Sequence, residues 1–395
     1  MQVFVESYLT AGTGVLALLL GRWLNNKVSF LHRICFPAPV TGGIIFSLVT
    51  LALHAIFGLE IIFDGTLKDI CMMIFFTSVG FQSNVTVFKA GGRPLVVMLI
   101  LVTVLMVFQN LIGVGLAHAM HVSPLVGMAA GSVTMCGGHG TAGGFGPILE
   151  NMGLQSASSV AMAAATFGLV AGSVLGGPLA DSLIRRHSLK PTEEESEIQV
   201  FPRSERQEMD AKGLTMASFE LVLAMACGTL VSKLLSLTGI AFPTYFGSLL
   251  AAAVIRNLGE LPGAPKLHTE SATVIGNVCL SLFLGMAMIS LRLWELANLA
   301  LPLFLILCLQ VLFMWFYARF AAFPVLGRDY DAAVLVSGLC GFGLGATPNA
   351  MANMSAVCGK YSYTVKPFVI VPLIGALFVD IINTTVISLI LNWVA

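Results

Sequence analysis

The sequence predicts an all-α polytopic membrane protein with two inverted repeats of five transmembrane helices, each carrying a re-entrant hairpin, and with both termini extracytoplasmic. Three observations lead there. The 395-residue chain is 57% hydrophobic and 10% charged, with a mean hydropathy of +0.92, whereas a soluble domain carries about 25% charged residues. Segments long enough to cross a bilayer recur along its whole length. Landmarks in the first half return at one constant offset in the second.

A crossing of roughly 30 Å takes about 20 mainly apolar residues. By that criterion spans lie near 5–24, 40–59, 67–84, 95–117, 157–181, 214–238, 243–259, 270–291, 297–322 and 366–393. The opening "MQVFVESYLT" carries Glu6 and no basic cluster, so the first span does not read as a cleavable signal. Segments 124–150 and 331–358 are apolar but broken by Gly and Pro, and are read as hairpins that enter the membrane without crossing it. The first contains "GSVTMCGGHGTAGGFGP", whose seven glycines and Pro147 cannot make a stable spanning helix, because an interior glycine costs about 1 kcal/mol against alanine and proline roughly 3. Residues 185–212, dense in both charge signs, form a solvated linker between a first repeat at 1–184 and a second at 213–395.

Lys and Arg are retained on the cytoplasmic side. With the N-terminus outside, 17 of the 20 basic residues fall inside, and Lys68, Lys233 and Arg292 fall outside. Both termini then face outward and the linker is cytoplasmic. Pro39 and Pro243, Gly43 and Gly247, Cys136 and Cys340, Gly137 and Gly341, and Ala142 and Ala346 are each 204 positions apart. Each half has an odd number of spans, so its copy inserts upside down, the inverted-repeat plan of secondary transporters. The hairpins then enter from opposite sides. Pro124 to Met135 gives an arm of about 18 Å as helix, enough to reach the midplane. The glycines form the tip, where open backbone is tolerated only if it is buried in protein or lines a watery cavity.

At the first tip Cys136, Gly137, Gly138, His139, Gly140 and Thr141 offer backbone N–H groups, a hydroxyl and an imidazole. A helix starting there would add its positive end, a setting for an anionic solute. His139 has three readings: ligand, proton carrier, or a group that satisfies the tip. The second tip supplies Gly341, Gly343, Gly345, Thr347 and Asn349, with Pro348 suited to a restarting helix. Its carbonyls suit a hard cation such as Na+. Asp380 lies mid-span with Asn383, Thr384 and Ser388 on nearby turns. An ionisable residue at that depth is functional by default, and carboxylate with amide oxygen is a hard-cation donor set.

Other functions find less support. Zero net charge gives no basis for a nucleic-acid partner, and the eight cysteines, with no metal spacing, read as free thiols. An enzyme would need an activated nucleophile, and neither a GxSxG elbow nor HExxH occurs. Asp181 and Arg185 read as an ordinary i,i+4 pair, Arg292 as a snorkelling residue, and Glu220 and Asn277 have no assigned direction. A cation/proton antiporter centred on Asp380 is the opposing transporter reading.

With "CGGHGTAGG", "CGFGLGATPNAMANM", "PAPVTGG", "KAGGRP", "ATFGLVAGSVLGGPLA", "GNVCLSLFLGMA" and "DYDAAVL" in view, the chain resembles the bacterial glutamate:sodium symporters over nearly its whole length outside the linker. The resemblance implies Na+-coupled uptake of L-glutamate across the inner membrane by a lipid-embedded homodimer, with an elevator-type motion and no organic cofactor. Cys136, Gly137, Gly138, His139, Gly140, Thr141, Gly343, Gly345, Thr347 and Asn349 then face the substrate. Asp380, Asn383 and Gly341 face Na+.

Overall fold

The computed structural model describes residues 2–28, 37–84, 92–190, 211–261 and 265–394; most of the expected linker, 191–210, lies outside them. The protein is a helical polytopic membrane protein. A short parallel pair, β1 (Gln2–Val5) and β2 (Glu60–Phe63), flanks α1 (Ser7–Lys27) and α2 (Ala38–Phe57). Just beyond β2, Asp64 accepts from the Ser7 hydroxyl at 2.5 Å and from the Thr66 N–H at 2.9 Å. Those donors hold its carboxyl below the usual range, the Ser7 hydroxyl most. The chain continues through α3 (Thr66–Gln82), α4 (Gly92–Ala119), α5 (Pro124–Ala129), α6 (Gly138–Asn151) and α7 (Ala157–His187). The second half runs α8 (Ala211–Ser236), α9 (Thr244–Leu258), α10 (Thr269–Ile289), α11 (Ala300–Phe316), α12 (Tyr330–Gly343), α13 (Thr347–Lys360), α14 (Lys366–Leu377) and α15 (Val379–Val394). Pro324 has no N–H to continue the ladder of α11, and a π-helical turn, Tyr317–Ala322, precedes it.

Among the described residues six helices are long and apolar enough to span: α2, α4, α7, α8, α10 and α11 extended to Val325. The pair α14 and α15, bent by 46°, passes the same test only when taken as one broken segment. The other three expected spans, 5–24, 67–84 and 243–259, are also helices, shorter or less uniformly apolar than these six. α3 and α9, with 17 and 15 residues, reach about 25 and 22 Å. α1 has 21 residues, but its Thr, Gly and Arg22 dilute the apolar run.

Helices α1, α2, α3, α8, α9 and α10 pack mainly on one another, and α4–α7 with α11–α15 form a second group. Each group draws on both halves of the chain. In the first, α1 crosses α2 so closely that a Cβ on Gly21 would lie 1.8 Å from the Ala38 carbonyl oxygen, and one on Gly42 1.7 Å from that of Ala17. No side chain fits there. The outer faces of α1 and α8, with Leu16, Trp23, Leu223 and Leu234 exposed, present the apolar surface a bilayer solvates.

The segments expected as hairpins differ from each other. α12 and α13, 14 residues each, pack together across the short link Leu344–Ala346. At about 21 Å each, neither crosses. The first segment is not a 12-residue arm with a glycine tip: its helix stops after six residues, turns follow over Ala130–Gly137, and most of the glycine-rich stretch is helix α6. Buried amides are the cause of the interruption. The Ser132 N–H donates to the Asn110 side-chain oxygen at 2.8 Å, and its carbonyl accepts from Asn383 at 2.9 Å. The N–H is thereby taken out of the helical ladder, while the carbonyl also accepts from the Gly137 N–H at 2.9 Å, an i+5 bond in place of the α-helical one. The glycines of α6 then serve packing: a Cβ on Gly144 would lie 2.0 Å from the Tyr245 ring, and one on Gly143 2.1 Å from that of Phe283.

Candidate functional site

The two broken segments meet. Gly138 opens α6 in the left-handed region at φ 59°, and a Cβ there would lie 2.9 Å from the Gly345 carbonyl oxygen. Beside this contact lies a cavity of about 460 Å³ between the two helix groups, within the range of small-molecule sites. The second group contributes Cys136–Gly140, Gly345–Pro348 and Asp380; the first contributes Phe75, Phe76 and Gln82 from α3 and Asn277 and Ser281 from α10.

Three helices begin at this cavity: α6 at Gly138, α13 at Thr347 and α15 at Val379. Each N-terminus carries roughly half a positive charge, although at α6 the Gly138 N–H itself donates to the Thr134 carbonyl at 3.1 Å. No Lys or Arg lines the cavity among the described residues. An anion there is met by backbone dipoles rather than by a counter-charge. Asp380 lies in the first turn of α15, just past the bend, and is the one carboxylate among the described lining residues.

Of the residues expected at the substrate, Cys136, Gly137, Gly138, His139, Gly140, Gly345 and Thr347 line the cavity, and so does Asp380, expected at Na+. The others lie behind it. The Gly343 carbonyl accepts from the Gln109 amide at 2.7 Å, and Asn349 donates to the Leu169 carbonyl at 2.9 Å. Asn383 donates to Ser132, and the Gly341 carbonyl accepts from the Ala346 N–H at 3.2 Å. Thr141 is fully buried and does not line the cavity. His139 Nε2 lies 3.1 Å from the Thr166 hydroxyl, which itself donates to the Met162 carbonyl at 2.9 Å. In that arrangement Nε2 is the donor, and the ring fastens α6 to α7.

Sequence reasoning missed Gln109 and Asn110, adjacent and buried in α4. Gln109 holds the second break through Gly343 and Asn110 holds the first through Ser132. Two amides side by side in the apolar run "LMVFQNLIG" are the signal that could have found them. Asn277, undirected in the sequence, lines the cavity. Glu220 does not: it binds His268 Nδ1 at 2.8 Å. Arg292 pairs with Glu60 at 3.0 Å and Glu295 at 3.2 Å, and Asp181 pairs with Arg185 at 3.2 Å and also with Lys360 at 2.6 Å.

Comparison with known proteins gives this arrangement a family. The sequence profile of the sodium/glutamate symporters matches residues 4–363. The sodium/glutamate symporter of Escherichia coli K12 is 40% identical over 390 residues, covering 98% of this chain and 97% of the relative. The chain belongs to the sodium/glutamate symporter family. The Haemophilus influenzae symporter is 37% identical over 394 residues, covering 98% of each chain. Membership of this family makes the chain a Na+-coupled glutamate transporter rather than an enzyme, and it does not favour the antiporter reading.

Proposed function

We propose that this chain carries L-glutamate inward across the bacterial inner membrane, coupled to Na+, by alternating access. The single observation that carries the reading is the convergence of three helix N-termini and one carboxylate on a cavity between two helix groups. The N-termini suit the carboxylates of glutamate. Asp380, the carboxylate on that cavity, suits Na+. Each Na+ entering down 100 mV releases roughly 2.3 kcal/mol, which drives an anionic solute inward when more than one ion enters with it.

In this reading residues 1–184 and 213–395 are inverted repeats joined by a cytoplasmic linker at 185–212, with hairpins at 124–150 and 331–358 and both termini outside. The 204-residue offset and the presence of both halves in both helix groups support it. The second group, with both broken segments, moves against the first, elevator fashion, in a homodimer. Cys136, Gly137, Gly138, His139, Gly140, Gly345 and Thr347 face glutamate, with Gly343 and Asn349 shaping the second break. Asp380 and Asn383, with the Gly341 carbonyl supporting the break, face Na+.

Protection of Cys136 tests this placement. Cys136 lines the cavity, so with the other seven cysteines replaced it is the one thiol a small methanethiosulfonate can reach. Glutamate at about ten times its Kd is expected to slow the reaction about tenfold in Na+ and to have no effect in K+. A rate that glutamate leaves unchanged in Na+ contradicts the site.

A further inference from the structure

We propose that the groove between α7 and α11 holds one anionic phospholipid, its phosphate on Arg319 and Ser182 and an acyl chain lying along the groove. The groove lies inside the second helix group, so the inference does not rest on the substrate or ion assignments above.

The geometry begins where α7 and α11 touch. Phe167 meets Phe304 edge-on, with ring centroids 6.3 Å apart. From there toward their C-terminal ends the two helices enclose a groove of about 420 Å³, with Ala171, Val174 and Pro178 on one wall and Val311 and Trp315 on the other. Val174 is 57% exposed, so the groove opens sideways to the bilayer. Its two polar lining residues, Ser182 and Arg319, stand together at one end. Ala171 lies midway along α7, and the helix from Ala171 to Ser182 covers about 16 Å. One leaflet contributes half of a hydrocarbon core of roughly 30 Å. The groove therefore has the length and the polarity of a lipid chain beneath its headgroup.

Arg319 gives the occupant its charge. Among the described residues its partners are the Ser182 hydroxyl at 3.3 Å and the faces of Trp315 and Phe320, at 5.5 and 5.8 Å. No carboxylate is among them. The rings steady the guanidinium by cation–π attraction, and its planar fork matches two oxygens of a phosphate. Ser182 accepts from Arg319, which leaves its own O–H to donate to the same phosphate. Asp181, the next residue on α7, is held by Arg185 at 3.2 Å and Lys360 at 2.6 Å. Arg185, Arg186 and Lys190 follow at the same end, which the orientation proposed above places at the cytoplasmic leaflet. A basic end there favours a headgroup of net negative charge over a zwitterionic one.

The test is the thermal unfolding midpoint of the purified full-length protein in an uncharged detergent, titrated with phosphatidylglycerol, phosphatidylcholine or inorganic phosphate. In the wild type phosphatidylglycerol raises the midpoint, and the other two leave it unchanged. Arg319→Gln is expected to raise the half-maximal phosphatidylglycerol concentration by about tenfold or more, the scale of one lost charge-assisted hydrogen bond. Val174→Trp fills the middle of the groove from an exposed position without touching Arg319, and is expected to weaken the response as much. Arg22→Gln, at an exposed arginine of α1 in the other group, leaves the response intact. Wild-type titrations in both Arg319→Gln and Val174→Trp would overturn the site. Equal weakening by Arg22→Gln would assign the effect to diffuse surface charge and overturn it too. Phosphate alone matching phosphatidylglycerol would remove the chain from the account, and phosphatidylcholine matching it would remove the charge; either result overturns the proposal. A changed oligomeric mass in Val174→Trp, with the lipid response retained, would place a second copy of the chain on this face instead.

Discussion

Asp380→Asn is expected to raise the Na+ concentration for half-maximal glutamate uptake by about 100-fold, equivalent to roughly 2.7 kcal/mol. The carboxylate sits in the first turn of α15, beyond the 46° bend that interrupts the last span, and lines the cavity. Asparagine keeps the shape and one oxygen but removes the negative charge that opposes Na+ in a low-dielectric setting. It also removes a favourable partner for the α15 N-terminus, a loss of only about 0.3–1 kcal/mol. Folding is therefore retained while coupling is lost. Initial uptake rates against Na+ concentration, with the protein quantified in the membrane, measure this directly. An unchanged Na+ curve would remove Asp380 from the ion's path.

Gly138→Val is expected to abolish glutamate transport at any Na+ concentration. The residue holds φ 59°, a conformation that costs an L-residue roughly 1–2 kcal/mol and a β-branched one more. Its new Cβ would also stand 2.9 Å from the Gly345 carbonyl oxygen, so the two breaks must separate. Separation re-aims the N-termini of α6 and α13, which the account makes responsible for holding the anion. Gly138→Ala carries the strain with less bulk and should retain a small fraction of the uptake. Wild-type uptake by the valine variant would mean that the meeting point of the breaks is not the substrate site.

Much of this arrangement was legible in the sequence because composition and glycine placement speak locally. Two interrupted segments, a mid-span Asp380 and the glycines at 137, 138 and 345 pointed to one central site. The structure places these residues around one cavity. The fine structure was not legible, because it depends on partners distant in sequence. "GHGTAGGFGP" reads as non-helical by propensity, yet it forms α6 because Tyr245 and Phe283 press into Gly144 and Gly143. The arm from Pro124 reads as an unbroken helix until Asn110 and Asn383 capture Ser132. Thr141 reads as part of the site until α6 starts at Gly138 and its helical phase turns the residue away from the cavity. The expected spans at 67–84 and 243–259 are helices of 17 and 15 residues, shorter than their apolar sequence suggested. The grouping of α1–α3 with α8–α10 follows from contacts between halves, which periodicity within either half does not encode.

The central claim is that this cavity moves glutamate because Na+ moves with it. Labelled L-glutamate uptake into proteoliposomes holding the purified protein tests it most directly, with an inward Na+ gradient set against an equal K+ gradient. Accumulation above the external concentration in Na+ and none in K+ is the predicted result. Equal uptake under both gradients, or none under either from folded and correctly inserted protein, would contradict it.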